Sequence, residues 1–200
     1  MSHLVLLLLA YFGSLLVNLA HAYSIGDIPF DLSTIDTNQQ AIVEFVGTQN
    51  NIVAQITFSG FSGSATQKPT TLVNVVVVSG LTDPTVKYPY HIHQKPVPSD
   101  GNCTGTGPHF DPKFANHGDG TYVCKPADLA NCEEGDLSGK WGPLIGAKNG
   151  LVTPQLYFDE YLNWKGETTS FLHRSIVIHN QQGTRIACAN ITHLGSPIKD

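Results

Sequence analysis

The stretch "NIVAQITFSG", residues 51–60, puts Ile52, Ala54, Ile56 and Phe58 at every second position. A pleated strand turns successive side chains to opposite faces, so this alternation reads as a strand with one buried face. Working outward, residues 41–47 (AIVEFVG), 70–79 (TTLVNVVVVS), 88–94 (YPYHIHQ), 154–161 (PQLYFDEY), 174–179 (RSIVIH) and 184–191 (TRIACANI) are further short runs rich in Val, Ile and Thr. Gly, Asn, Pro and Ser separate them, as expected of strands joined by turns. "GTQNN", residues 47–51, has the composition of a hairpin turn between the first two. No helical periodicity of useful length appears beyond the N-terminal segment. Residues 95–153 carry few strand signals and many turn formers, and a loop that long in a compact domain points to function. The chain reads as one antiparallel β-sandwich or barrel with an elaborate loop.

Two hundred residues hold one sizeable domain or two small ones. The chain is 41% hydrophobic with a net charge of −5 and no charge blocks, which gives no reason to expect nucleic acid or an acidic membrane surface as partner. Its 19 Gly and 12 Pro, with one Met, suit a loop-rich all-β protein. Residues 1–22 read as a signal peptide: "LVLLLLAYFGSLLVNLA" is apolar and Ala20-His21-Ala22 supplies small-x-small cleavage, so the mature chain begins at Tyr23. A membrane anchor is the alternative, since the apolar run approaches spanning length. The expected organisation is a signal peptide (1–22), an N-terminal extension (23–39), a sandwich (40–192) and a C-terminal tail (193–200). The expected destination is secreted, extracellular or cell-wall associated, with no stable membrane insertion. In that compartment four cysteines suggest disulfides, with three possible pairings. The Asn102 and Asn190 triplets are N-glycosylation acceptors.

The chemistry concentrates in "YPYHIHQKPVPSDGNCTGTGPHFDP", residues 88–112. His91 and His93, at i and i+2 on a strand, send both imidazoles from one face and form half of a metal site. Imidazole suits Cu, Zn, Fe and Ni; an isolated pair of surface histidines is the bland alternative. His109, His117 and His179 occupy other strand and loop segments, with Asp111, Asp119, Glu133 and Asp136 near them in sequence. Trp141 and Trp164 read as packing residues. "GDLSGKW" lacks the spacing and the Ser or Thr of a phosphate loop.

The series "HIH", "NCTGTGPHFDP", "GDLSG", "RSIVIHN" and "TRIACANI" resembles, in order and across nearly the whole mature chain, the motifs of copper/zinc superoxide dismutases. The resemblance implies a Greek-key β-sandwich or flattened barrel of about eight antiparallel strands with a long metal-site loop. It makes His91, His93, His109 and His179 copper ligands, with His109 at the position that bridges copper and zinc in two-metal members. It pairs Cys103 with Cys188, a closure that contributes about 4–5 kcal/mol on the chain-entropy model, and makes Arg185 the cation that attracts the anionic substrate. Cys124 and Cys132, eight apart, are left to pair and brace the loop.

Two departures are informative. Glu133 stands where two-metal members have a third zinc histidine, and only a few residues separate His179 from Arg185, where they insert a long charged loop. Both features resemble the copper-only branch of secreted or cell-surface proteins in fungi and related microbes. That branch implies Glu133 and Asp136 as carboxylates that hold His109. Retained His117 would then be a remnant of a zinc site; zinc is expected to be absent, the alternative being that two histidines with Asp136 and Glu133 satisfy it as four N or O ligands. The implied activity is secreted superoxide dismutation by Cu(II)/Cu(I) cycling: one superoxide leaves as dioxygen and a second, after gaining two protons, as hydrogen peroxide. His109 carries the proton traffic. The competing reading is a secreted copper-binding or interaction module with little turnover. Oligomeric state stays open, with a monomer favoured.

Overall fold

A computed structural model of the chain describes residues 35–63, 68–116, 118 and 120–195. The proposed signal peptide, most of the N-terminal extension and His117 lie outside the described residues.

Among the described residues ten strands follow in order: β1 (Ile35–Val46), β2 (Val53–Phe61), β3 (Thr70–Ser79), β4 (Lys87–Tyr88), β5 (Tyr90–His93), β6 (Leu144–Ile145), β7 (Gln155–Asp159), β8 (Ser175–His179), β9 (Arg185–Asn190) and β10 (Thr192–His193). Among the described residues one short α-helix, α1 (Leu137–Trp141), precedes β6, and two 3-10 turns lie at Cys103–Thr106 and Leu129–Asn131. A five-stranded sheet runs β10-β1-β2-β3-β7, a three-stranded sheet runs β5-β8-β9, and β4 pairs with β6. The recorded pairings are antiparallel. The seven strands longer than two residues fall on the seven apolar runs of the sequence; β1 begins earlier, at Ile35.

Alternation places the core as expected. Ile52, Ala54, Ile56 and Phe58 are all buried, with Val73, Val75 and Val77 on β3 and Val43 and Phe45 on β1. From the smaller sheet Tyr90, Ile92, Ile176 and Ile178 join the same apolar cluster. Burial of each such side chain contributes about 1.5–3 kcal/mol. Because Tyr90 and Ile92 face this core, the pleat turns His91 and His93 to the opposite face. The β1–β2 hairpin closes where Gly47 N–H donates to Ile52 O at 2.9 Å, and Asn50 and Asn51 take positive φ, a conformation Asn tolerates.

Both tryptophans pack. Trp164 meets Phe171 edge-on at 4.8 Å and donates to Thr71 Oγ1. Trp141 stacks on Tyr157 at 5.0 Å and donates to Asp159 Oδ2. Beside it Lys140, fully buried, donates to Asp159 Oδ2 at 2.6 Å and to the Glu134 carbonyl at 2.9 Å. This pair ties α1 to β7. The Glu134 side chain is 2% exposed and accepts the Asn163 N–H. Burial pushes its carboxyl from the ordinary 4.5 up to about 7, against the pull of the Asn163 amide and of Lys113 and Lys140.

The sign of the consequence follows from linkage. A raised folded-state value means that the folded protein holds the proton more tightly. The associated stability is full below 4.5 and is lost as pH rises through about 7. In denaturant melts across that window, the parent is expected to lose of the order of 3 kcal/mol relative to a Glu134→Gln variant. A gap independent of pH would contradict the assignment.

Candidate metal centre

Four imidazoles meet on the outer face of the three-stranded sheet. His91 and His93 come from β5, and His179 ends β8. There the β8–β9 register shifts between Ile178 and His179, which sets His179 opposite Arg185. His109 arrives from the loop by an isolated antiparallel bridge to His93. One ring nitrogen from each of the four lies within 4.8 Å of the others. Nitrogens on opposite sides of an ion at ~2.0–2.1 Å stand about 4 Å apart, so the cluster has the size of a single-ion site. Among the described residues no other group of three or more His, Cys, Asp or Glu side chains converges in this way.

The remaining nitrogens decide which atoms face inward. His93 Nδ1 donates to Gly107 O at 2.8 Å, and His179 Nδ1 donates to Gly183 O at 3.0 Å. A carbonyl only accepts, so both rings carry the proton on Nδ1 and offer the Nε2 lone pair. His109 Nδ1 donates to Glu133 Oε2 at 2.6 Å, with the same result. His91 is reversed: its Nε2 lies 3.5 Å from Asp136 Oδ1, and Nδ1 faces the cluster, buried and without a hydrogen-bond partner. A buried polar atom left unpaired is costly and calls for an explanation. A metal ion held by the four rings would supply the missing partner.

Electrostatics favour lone pairs over protons here. Burial holds His91 far below the ordinary histidine range, helped by the charges of His109, His179 and His93. It pulls His93 down to about 3, against the hydrogen bond to Gly107. Burial likewise lowers His179, against the bond to Gly183. Neutral imidazoles are the form that binds metal.

The sequence assigned both carboxylates to His109, and the structure divides them. Glu133 reaches His109. Asp136 instead sits against His91, accepts Gly139 N–H at 2.7 Å as the cap of α1, and accepts the Tyr122 hydroxyl at 2.9 Å. Two residues without a sequence signal complete the surroundings. Asn116 Nδ2 donates to Glu133 Oε1 at 2.8 Å, and the Tyr122 hydroxyl accepts Glu133 N–H at 2.9 Å. Asp111, flagged by proximity alone, accepts the amides of Ala115 and Asn116 and so holds that loop. Neither Asn116 nor Tyr122 sits in a periodic or spaced motif.

Arg185 is fixed by four contacts. Nη1 donates to Cys103 O at 2.8 Å, Thr104 O at 3.3 Å and Thr106 Oγ1 at 2.8 Å, and Nη2 donates to Gly107 O at 2.7 Å. The Cys103–Cys188 disulfide anchors the same turn to β9, and Cys124 pairs with Cys132. Gln49 braces the first bridge from the hairpin, donating to Gly101 O and accepting Cys188 N–H at 2.6 Å.

The fold and site together define a metal-binding β-sandwich with a four-histidine centre. The family model described as copper/zinc superoxide dismutase (SODC) matches residues 52–191, and the chain belongs to that family. A cell surface Cu-only superoxide dismutase of Arthroderma benhamiae is 42% identical over 109 residues, covering 54% of this chain and 28% of that protein. Cell surface Cu-only superoxide dismutase 5 of Candida albicans is 39% identical over 120 residues, covering 60% of this chain and 48% of that protein. The chain thus spans less than half the length of these curated relatives. The solved structure of Candida albicans superoxide dismutase 5, Cu(II), is similar with a TM-score of 0.63 and 31% identity, over 82% of this chain and 97% of that one.

Gly135 makes the convergence possible. A Cβ there would stand 2.5 Å from Ile92 O and 3.0 Å from Phe110 O, with backbone on both sides. Gly135→Ala is expected to lower stability by about 1–3 kcal/mol through overpacking and to weaken metal uptake, because Glu133 and Asp136 move with the backbone. Melting curves and metal titration of the purified variant check this; a variant equal to the parent in both would refute it.

Proposed function

We propose that the chain is a copper-dependent superoxide dismutase acting outside the cell or at its surface, converting superoxide to dioxygen and hydrogen peroxide. The observation that carries this is the inward set of His91 Nδ1 and the Nε2 atoms of His93, His109 and His179, with the buried His91 nitrogen lacking any other partner. Family membership and relatives named Cu-only superoxide dismutases support copper as the ion. Copper bound there supplies one-electron cycling between Cu(II) and Cu(I), which zinc lacks. The Glu133 carboxylate on His109 Nδ1 supports a centre without zinc, since it already takes the nitrogen that a bridging histidine would offer a second ion.

The residues divide the remaining work. Arg185 attracts and orients the anion. Burial lowers its pKa somewhat, but a guanidinium stays charged at physiological pH, and its four contacts keep it from wandering. His109 moves the proton: its side chain is 30% exposed, which gives the ring a route to solvent while Nδ1–H stays on Glu133. That bond fixes the ring plane through the exchange. The turn between β8 and β9 is short, so nothing from that hairpin extends a long charged loop over the site. Steering is therefore local, with Arg185 as its main source.

The same reading makes residues 1–22 a signal peptide, 23–39 an extension, 40–192 the catalytic sandwich and 193–200 a tail, and the working unit a monomer that touches neither nucleic acid nor membrane. The four half-cystines, all in disulfides, suit an oxidising compartment.

The test joins metal content with superoxide consumption. Copper near one per chain with little zinc, and activity abolished in His179→Ala, are the expected results. Copper bound without turnover would leave a binding module instead. Arg185→Ala is expected to retain copper and lose about tenfold in kcat/KM, with the parent only shallowly salt-dependent. Steep salt dependence in the parent together with a parent-like Arg185→Ala would overturn the steering role.

A further inference from the structure

Tyr122 lies in the loop between His109 and Glu133, outside every strand and helix. Its half-buried hydroxyl accepts from Glu133 N–H and donates to Asp136 Oδ2, each at 2.9 Å. One oxygen atom therefore touches both residues that meet the imidazoles, Glu133 on His109 Nδ1 and Asp136 beside His91 Nε2. The other contacts of the pair are also engaged, by Asn116 on Glu133 Oε1 and by Gly139 on Asp136 Oδ1. The second disulfide closes around this arrangement: Cys124 follows Tyr122 by two residues and bonds to Cys132, which directly precedes Glu133. Gly139 leaves the space for it, since a Cβ there would stand 2.7 Å from Cys124 Cβ.

We infer that Tyr122 is a positioning residue of the metal centre: clamped by the Cys124–Cys132 bridge, its hydroxyl fixes the Glu133–Asp136 separation and thereby the orientation of His109 and His91. The inference rests on the four-histidine copper reading above. A hydroxyl is suited to the task because it donates and accepts at once, which neither a carboxylate nor an ammonium group can do. Burial pushes the phenol well above its ordinary pKa, so the donor proton stays in place. Phenylalanine would fill the same volume while leaving a backbone N–H without an acceptor and a carboxylate oxygen without a donor.

The test is Tyr122→Phe, read by copper affinity in chelator competition, by the Cu(II) EPR spectrum and by melting of the copper-free and copper-loaded proteins. Copper affinity is expected to fall about tenfold, as for other groups that act on metal ligands from outside, with altered EPR hyperfine structure. The melting temperature should drop more in the loaded form than in the copper-free form. In an Asp136→Asn background the same change should cost distinctly less, because coupled groups are not additive. Affinity within twofold of the parent and a superimposable spectrum would overturn the inference whatever the melting curve does, as would full additivity. If Tyr122→Phe does not fold, Cys124→Ser with Cys132→Ser keeps the hydroxyl and frees the loop: weaker copper retention supports the clamp and parent-like retention overturns it. A parent that binds no copper removes the metal-site reading and this inference together, whereas a copper-binding parent matched by Tyr122→Phe removes only the role of Tyr122.

Discussion

Three backbone hydrogen bonds form a closed circuit at the heart of the site. Ile92 N–H donates to Gly135 O at 2.9 Å, Gly135 N–H to Phe110 O at 2.8 Å, and Phe110 N–H to Ile92 O at 2.9 Å. Each participant adjoins a functional side chain: His91 and His93 flank Ile92, His109 precedes Phe110, and Glu134 and Asp136 flank Gly135. The main chain therefore brings the imidazoles and carboxylates together before any side chain chooses a rotamer. Tertiary anchoring reinforces the circuit. The Arg174 guanidinium lies 3.8 Å from the centre of the Phe110 ring and donates to Gln94 O, and Ser138 Oγ bonds both the N–H and the carbonyl of Tyr90.

Around that circuit the structure separates two demands. The apolar face of β5 and β8 joins the sandwich core, while the opposite face carries histidines whose spare nitrogens are taken by fixed acceptors. Backbone carbonyls at Gly107 and Gly183 serve His93 and His179, the Glu133 carboxylate serves His109, and Asp136 lies 3.5 Å from His91 Nε2. The two acceptor types act differently. A neutral carbonyl fixes a tautomer with little effect on charge, whereas a carboxylate also sets a negative charge beside the ring. His109, at 30% side-chain exposure the more open of the two rings beside carboxylates, is the one hydrogen-bonded to its carboxylate, at 2.6 Å.

Legibility in the sequence follows physical range. The long strands could be read because alternation over several residues has a period, and the histidine spacing could be read because i and i+2 share a face of any strand. The β4–β6 pair and β10, at two residues each, have no period to show. Helix α1, at five residues, is shorter than two turns and gives no helical pattern. The disulfide pairs and ligand set were legible only through resemblance to a family, since four cysteines alone permit three connectivities. Tyr122 and Asn116 were illegible because their roles rest on partners brought close by the loop's folded path. The division of Glu133 and Asp136 between two histidines was hidden for the same reason: their three-residue spacing does not say which ring each will face.

The segment that delivers His109 has a second consequence for the molecule. β5 is an outer strand of its sheet, and a bare outer strand presents unpaired amides and carbonyls to any neighbouring chain. Pro108, Phe110 and Gly135 occupy those groups on Gln94 and Ile92, so the loop that delivers His109 doubles as a guard rail against intermolecular sheet growth. Loosening this loop would therefore bare a sheet edge to neighbouring chains as well as disturb the metal site, so solubility and metal geometry are tied to the same few backbone hydrogen bonds.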